Sequence, residues 1–267
     1  MSLSDLFFEL SNETRVDILK LVNSEPQRLT DISKQLDLPA QEVSRQLNRL
    51  DKMSMVYKDS DGLIHDTPYS EQILAMLPSY QFLFSNRDYF MSHTLNTLPN
   101  MYSARIGELS GCSYEHDVMT VLHRLETTLR EAETYIHIML DQMVSHTLPI
   151  LEEKVKTGVE FHFLTTEKIN PPPGVWRRFH VNVSDLDTPQ QLDTRFMKDI
   201  PMGLVITEKE VGLICFKTED NQLDYTGFYG SDQSSHLWAK DVFQYYWATA
   251  SDKWPEKLLE KVEKDLE

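Results

Sequence analysis

Between Leu10 and Lys58 the chain carries three short helical patterns and then a β pattern with a turn, and this order constrains the fold more than any other stretch. Ser11 and Asn12 are good helix caps, and Val16, Ile18, Leu19, Leu21 and Val22 follow as an apolar stripe. Asn23-Ser24-Glu25-Pro26 breaks that helix. Leu29 and Thr30 open a second, with Thr30 as the expected cap and Ile32 and Leu36 facing inward. Asp37-Leu38-Pro39 reads as a turn, with Pro39 suited to the start of the next helix. In the third helix, 40–52, Val43, Leu47 and Leu50 repeat at i, i+4, i+7 and bury one face. Met55, Val56 and Tyr57 begin a strand, Asp59-Ser60-Asp61-Gly62 turns it, and Leu63-Ile64-His65 returns.

That order is the pattern of a winged helix-turn-helix, a unit that lays one helix in the DNA major groove. Gln41, Ser44, Arg45, Asn48, Arg49 and Lys52 lie on the polar side of helix 40–52, while Lys58 and His65 flank the hairpin. Arginine pairs with guanine O6/N7, and glutamine or asparagine with adenine N6/N7. Lys58 and His65 are within the chemistry of backbone phosphates, and Ser44 suits a phosphate or a base. Against this stands the plain alternative of a solvated helix face. The formal net charge is −16, and residues 1–66 hold eight Lys/Arg against twelve Asp/Glu. Phosphate affinity depends on local cations rather than on the total, so weak non-specific binding with steep salt dependence is expected.

A chain of 267 residues exceeds one such unit. The expected division is a DNA-binding domain at 1–67, a helical connector at 68–112 and an α/β regulatory domain at 113–267, an α+β chain overall. In the connector, interruptions are expected at Pro78 and Pro99. Residues 115–134 form the strongest helical pattern, with Val118, Val121, Leu122, Leu125 and Leu129 on one face. Tyr135–Leu140, a helix at 145–157 and Val159–Leu164 give a β–α–β order, hence a parallel strand pair. Trp176–Val183 reads as extended, Met202–Thr207 with Val211–Lys217 as a hairpin, Tyr225–Tyr229 as a strand and 234–250 as a helix.

The first quarter of the chain resembles archaeal and bacterial ArsR/MarR-like winged-helix regulators. The resemblance rests on Leu10-Ser11-Asn12-Glu13-Thr14-Arg15, Leu29-Thr30-Asp31-Ile32 and Leu38 to Leu47. Metal-sensing members carry cysteines in this region, and this segment has none. Nearly the whole chain is similar to the archaeal methanogenesis-regulatory-protein family, through Ser92-His93-Thr94-Leu95, Arg105-Ile106-Gly107-Glu108-Leu109, Ile200 to Thr207 and Tyr245-Tyr246-Trp247. That likeness implies a winged helix joined to a TrmB-like regulatory domain of phospholipase-D-like fold. Gly227, Gly230, Ser231 and Asp232 resemble its small-residue turn.

Enzymatic chemistry is not expected. Phospholipase D chemistry needs a His nucleophile with a Lys two residues on, and the matching Ile200-Pro201-Met202-Gly203 has neither. Gly-x-Ser-x-Gly, His-Glu-x-x-His and a glycine-rich phosphate loop are absent from the sequence. Cys112, His116 and His123 are the tightest set of metal-ligating types, and His116 and His123, seven apart, face the same side of helix 115–134, but no close pair has the i, i+4 spacing of a helical zinc site, so no metal or cofactor is expected. Arg177, Arg195, Tyr225 and Trp247 are the candidate residues for a small-molecule effector, with core packing as the alternative for the rings. No apolar run approaches the roughly 18 residues of a membrane span, so a cytoplasmic protein is expected. The expected function is sequence-specific regulation of transcription by a homodimer on double-stranded DNA. Two winged helices would then meet half-sites about 34–36 Å apart. The rival is a protein-interaction module whose winged helix binds another protein.

Overall fold

A computed structural model describes residues 2–172, Val175 and residues 192–266. The chain forms two compact units, Met1–Tyr80 and Gln81–Glu267.

The first unit opens with a helix the sequence reading does not anticipate, α1 (Leu3–Leu10). Ser2 and Asp5 cap it reciprocally: the Ser2 side chain accepts from the Asp5 N–H, and the Asp5 carboxylate accepts from the Ser2 N–H. Helix α2 (Glu13–Ser24) starts from the Asn12 cap, as expected. A two-residue strand, β1 (Gln27–Arg28), precedes α3 (Leu29–Gln35). Thr30 is not the cap of α3; Arg28 takes that position without a side-chain bond, because β1 pairing holds the preceding backbone extended. At the turn, Asp37 adopts φ 52°, the left-handed region that Asp tolerates better than most residues. Helix α4 (Ala40–Lys52) follows from Pro39. Strands β2 (Val56–Lys58) and β3 (Leu63–Asp66) make the hairpin, with β3 central between β1 and β2. Ile18, Leu19, Val22, Ile32, Val43, Leu50 and Met55 are almost wholly buried in one cluster. At about 1.5–3 kcal/mol for each large side chain, that cluster fixes which face of α4 remains outside.

Helix α5 (Pro68–Ser85) runs through Pro78 without a break, contrary to expectation. Only one N–H is removed by the proline, and the helix is held by burial on both sides of it, at Ile73 and Leu74 and at Phe82. The division between the two units falls inside this helix and splits the expected 68–112 connector.

The second unit is built on a mixed sheet. Along it run β5 (Ser113–Glu115), β11 (Gly227–Gly230), β10 (Val211–Thr218), β9 (Met202–Thr207), β6 (Tyr135–Met139), β7 (Glu160–Thr166) and β8 (Leu192–Met197), while β4 (His93–Thr94) pairs with the end of β10. Strands β6, β7 and β8 are parallel and the others antiparallel, so the expected β–α–β unit is present. Helices α8 (Val118–Glu131) and α9 (Leu148–Lys156) cover the face that carries Ile138, Phe161, Phe163 and Val205. The opposite face receives α10 (Gln233–Thr249), which stacks Phe243 on His137 and Trp247 on His162. The alternation of side chains along a strand puts neighbours in sequence on these two faces. Helix α8 begins at Val118 behind an Asp117 cap, so His116 lies outside it and does not share a helical face with His123. Residues 113–115 prefer to pair with β11. Segment 87–109, with short helices α6 (Arg87–Phe90) and α7 (Asn100–Ser103), closes one end: the Trp238 Nε1–H donates to Tyr102 O, the Tyr246 hydroxyl to Thr97 O, and the Phe216 N–H to the Tyr89 hydroxyl. The expected extended stretch Trp176–Val183 lies outside the described residues. No helix among the described residues is long and apolar enough to cross a membrane.

Candidate nucleic-acid interface

Burial of Val43, Gln46, Leu47 and Leu50 turns the remaining sides of α4 outward. Gln41, Arg45, Asn48 and Lys52 are exposed, and Ser44 and Arg49 are half-buried. The expected set is therefore on one accessible side, but its members differ in freedom. Arg45, with 70% of its side chain exposed, makes an ion pair with Glu42 at 2.8 Å. Arg49 is held more firmly: its Nε and Nη2 donate to the Glu9 carboxylate at 2.9 and 2.5 Å. Its guanidinium also lies 5.3 Å from the centre of the Phe8 ring.

Glu9 is the hub of a network that sequence reasoning misses. Its carboxylate also faces Arg15 Nε at 2.9 Å, and Arg15 donates to the carbonyls of Phe8 and Glu9 and to Gln46 Oε1. Gln46 in turn donates to Glu42 Oε1. The first three helices that contribute to this network, α1, α2 and α4, are thus tied by charge as well as by core packing. The hydrogen bond from Arg49 holds the Glu9 carboxyl below its ordinary range against the opposing effect of burial. On Arg15 burial has the larger effect and lowers the guanidinium from its usual value, against the Glu9 charge that raises it. The one sequence signal of this arrangement is Ser2-Leu3-Ser4-Asp5, a capping box ahead of the Leu6-to-Leu10 segment.

On the hairpin, Lys58 is exposed. His65 Nε2 sits 2.8 Å from Asp59 Oδ2, and its ring stacks on exposed Tyr57 at 5.0 Å. Asp59 also accepts from the N–H groups of Asp61 and Leu63, so one carboxylate shapes the turn, with Gly62 at φ 82°. Its carboxyl is held below the ordinary range first by the His65 bond.

In the second unit, two of the four expected effector residues meet. Arg195 places its guanidinium 4.6 Å from the Trp247 ring centre and donates from Nη1 to Trp247 O at 2.8 Å. Tyr225 does something else: at φ 63°, it donates its hydroxyl to Asp141 Oδ1 at 2.5 Å. Arg177 lies outside the described residues.

With this geometry in view, comparison with known proteins assigns both parts. Residues 12–58 match the bacterial regulatory protein, arsR family, helix-turn-helix model, and residues 119–249 match the middle domain of methanogenesis regulatory protein FilR1. Together the two matches support a DNA-binding transcription regulator in which an ArsR-type helix-turn-helix is joined to a FilR1-type middle domain. No curated protein sequence matches it. Among solved structures, it is similar to TrmBL2, described as an archaeal chromatin protein with a novel mode of DNA binding. The identity is 13% over 90% of this chain and 92% of that one, with a TM-score of 0.42. A second similarity is to a pericyclic reaction enzyme, at 11% identity over 68% of this chain and 55% of that one, with a TM-score of 0.23.

Proposed function

We propose that the chain is a sequence-specific regulator that reads DNA through the exposed side of α4. The observation that carries this reading is the burial pattern: on an ArsR-type unit, the core fixes α4 so that Gln41, Arg45, Asn48 and Lys52 all remain exposed. Arg45 and Asn48 are the base readers in this reading, because each has the donor geometry for a base edge. Arg49 has a prior partner in Glu9 and serves to hold the helix. Lys52 and Lys58 supply phosphate contacts, Gln41 and Ser44 support the start of the helix on the DNA, and the His65–Asp59 pair stiffens the wing.

A homodimer fits this reading. On α5, Met76, Tyr80 and Phe84 follow one another at i, i+4, i+8 and are 56%, 57% and 71% exposed. Such a stripe is suited to a second copy of the same helix. The effector, in turn, has two places in the second unit. One is the Arg195–Trp247 corner. The other is an apolar cavity of about 30 Å³ lined by Leu125, Leu129, Met143, Leu148 and Phe163, which holds only a small apolar group unless side chains move.

The test is selection of bound sequences from random DNA, followed by salt titration on the selected site. Arg45→Ala with Asn48→Ala is expected to abolish the preference without unfolding the chain, since neither side chain is buried. An unchanged preference defeats the assignment. The rival protein-interaction reading is favoured by Leu3, Phe7 and Phe8, which α1 leaves exposed beside an acidic chain. It predicts no steep fall of DNA affinity with salt.

A further inference from the structure

Five rings stack where α10 meets the sheet, Tyr135 among them at 4.5 Å from the His137 ring. His137 on β6 lies 4.9 Å from His162 on β7, with ring planes 7° apart, as the parallel register requires. Phe243 covers His137 at 4.6 Å and Trp247 covers His162 at 4.5 Å. For packing alone, phenylalanine at 137 would serve as well as histidine. Yet His137 is 8% exposed, and neither of its ring nitrogens has a hydrogen-bond partner among the described residues. Leaving a buried polar group unsatisfied costs about 1–3 kcal/mol, so the imidazole needs another reason to be there.

The adjoining carboxylate supplies one. Glu160 stands at the start of β7, on the same face as His162. Its Oε1 lies 3.2 Å from His162 Nε2 and 3.9 Å from His137 Nε2. One ligand atom from each of the three residues falls within 4.8 Å of the other two. Ligands on one tetrahedral zinc ion, bound at about 2.0–2.1 Å, sit about 3.3 Å apart. The His162–Glu160 separation already meets this; His137, 3.9 Å from the same carboxylate and parallel to His162, must tilt out of the stack to turn a lone pair onto the ion. Most of the Glu160 side chain, 57%, is exposed, which gives an ion a way in.

We propose that His137, Glu160 and His162 bind a divalent transition metal ion, zinc in the first instance, through two imidazoles and one carboxylate. Imidazole nitrogen suits zinc and its neighbours rather than calcium or magnesium. Asp193, paired in register with His162 on β8, adds a second carboxylate nearby, whereas Arg195 and Lys240 oppose the ion's charge. A fourth position is left for water or an anion. The proposal stands apart from the DNA reading, because the ion is held entirely by the second unit.

The experiment uses the metal-stripped full chain, titrated calorimetrically with Zn²⁺ and spectroscopically with Co²⁺. One equivalent per chain is expected, with d–d bands of a low-coordinate N/O site. Glu160→Gln and His162→Gln should each weaken binding by at least about tenfold. Both positions are partly exposed, so native circular dichroism is expected and is checked alongside. His116→Ala, on an exposed histidine elsewhere, should change nothing. No saturation up to about 100 µM zinc, or saturation undiminished in both folded variants, overturns the site.

Discussion

Replacing Glu9 by Gln isolates the charge that ties α1 to α4. The amide keeps the shape and one acceptor oxygen, but loses the charge that meets Arg49 at 2.5 Å and Arg15 at 2.9 Å. Arg15, whose side chain is 6% exposed, keeps the Phe8 and Glu9 carbonyls and Gln46 yet loses its counterion. Hydrogen bonds to charged groups contribute about 1.5–3 kcal/mol, and the Arg49 side is discounted because 41% of that side chain meets water. The net loss is expected to be about 2 kcal/mol, or a roughly thirtyfold drop in amide-exchange protection at Ile18, Leu19 and Leu50.

The pH dependence separates charge from shape. The Glu9 carboxyl has a lower pKa in the folded chain than its ordinary 4.5. On acidification the unfolded chain therefore takes up this proton first. The carboxylate's stabilisation is complete above about pH 4.5 and is lost as pH falls through the folded value. The gap between wild type and Glu9→Gln should be constant from pH 6 to 8 and close in stronger acid. Equal protection at pH 7, or a gap that persists undiminished at low pH, would refute the ion-pair argument. Under the proposed DNA reading, freeing Arg49 also steepens the salt dependence by about 0.9 per added phosphate contact.

Three further perturbations probe other parts of the chain. Burial, followed by the charges of His162, Lys240 and His236, pushes the His137 imidazole down to about 3. Its unfolded form is protonated below about 6.5, so with Tyr135 and Glu160 also facing it, His137 should cost the metal-free chain about 2 kcal/mol on going from pH 7 to pH 5. His137→Phe should be at least as stable at pH 7 and escape that loss; a parallel decline of both proteins in a pH series of melts would contradict this. Gly227→Ala places a Cβ 2.2 Å from Ile214 O, a backbone atom that cannot move without breaking β10 pairing. A loss of about 3 kcal/mol or more is expected, seen as a melting midpoint lowered by about 6 °C or more, and an unshifted midpoint would show that β10 and β11 yield. Met76→Glu with Phe84→Glu puts two charges on the exposed stripe of α5 and should turn the proposed dimer into a monomer by light scattering, at unchanged helix content; a dimer that persists in the variant would refute this seam.

What could be read in the sequence divides along the distance between interacting residues. Helices α2 and α4 declare themselves because Ile18, Leu19 and Val22, and Val43, Leu47 and Leu50, repeat within single helical turns. The β6–α9–β7 unit is legible for the same reason, as three local patterns in a row. By contrast, β1 is two residues long and owes its existence to Gln27 pairing with Ile64, which no local window contains. Glu9 belongs to the same class: a lone acid near the start becomes the partner of Arg49 forty residues away only after α1 folds back. This is why Arg49 reads from periodicity as a free DNA-facing group and proves to be a held one. The histidine pair is the most informative failure. Helical spacing directs attention to His116 and His123, but the α8 cap at Asp117 leaves His116 outside the helix. The pair that forms needs parallel register, and its trace was present in two similar strings, Tyr135-Ile136-His137-Ile138 and Glu160-Phe161-His162-Phe163. Each sets a polar ring between apolar neighbours that point to the opposite face. When such strings flank one crossover helix, alignment of their histidines across the sheet follows from pairing like with like, and with it a place where three ligand atoms converge.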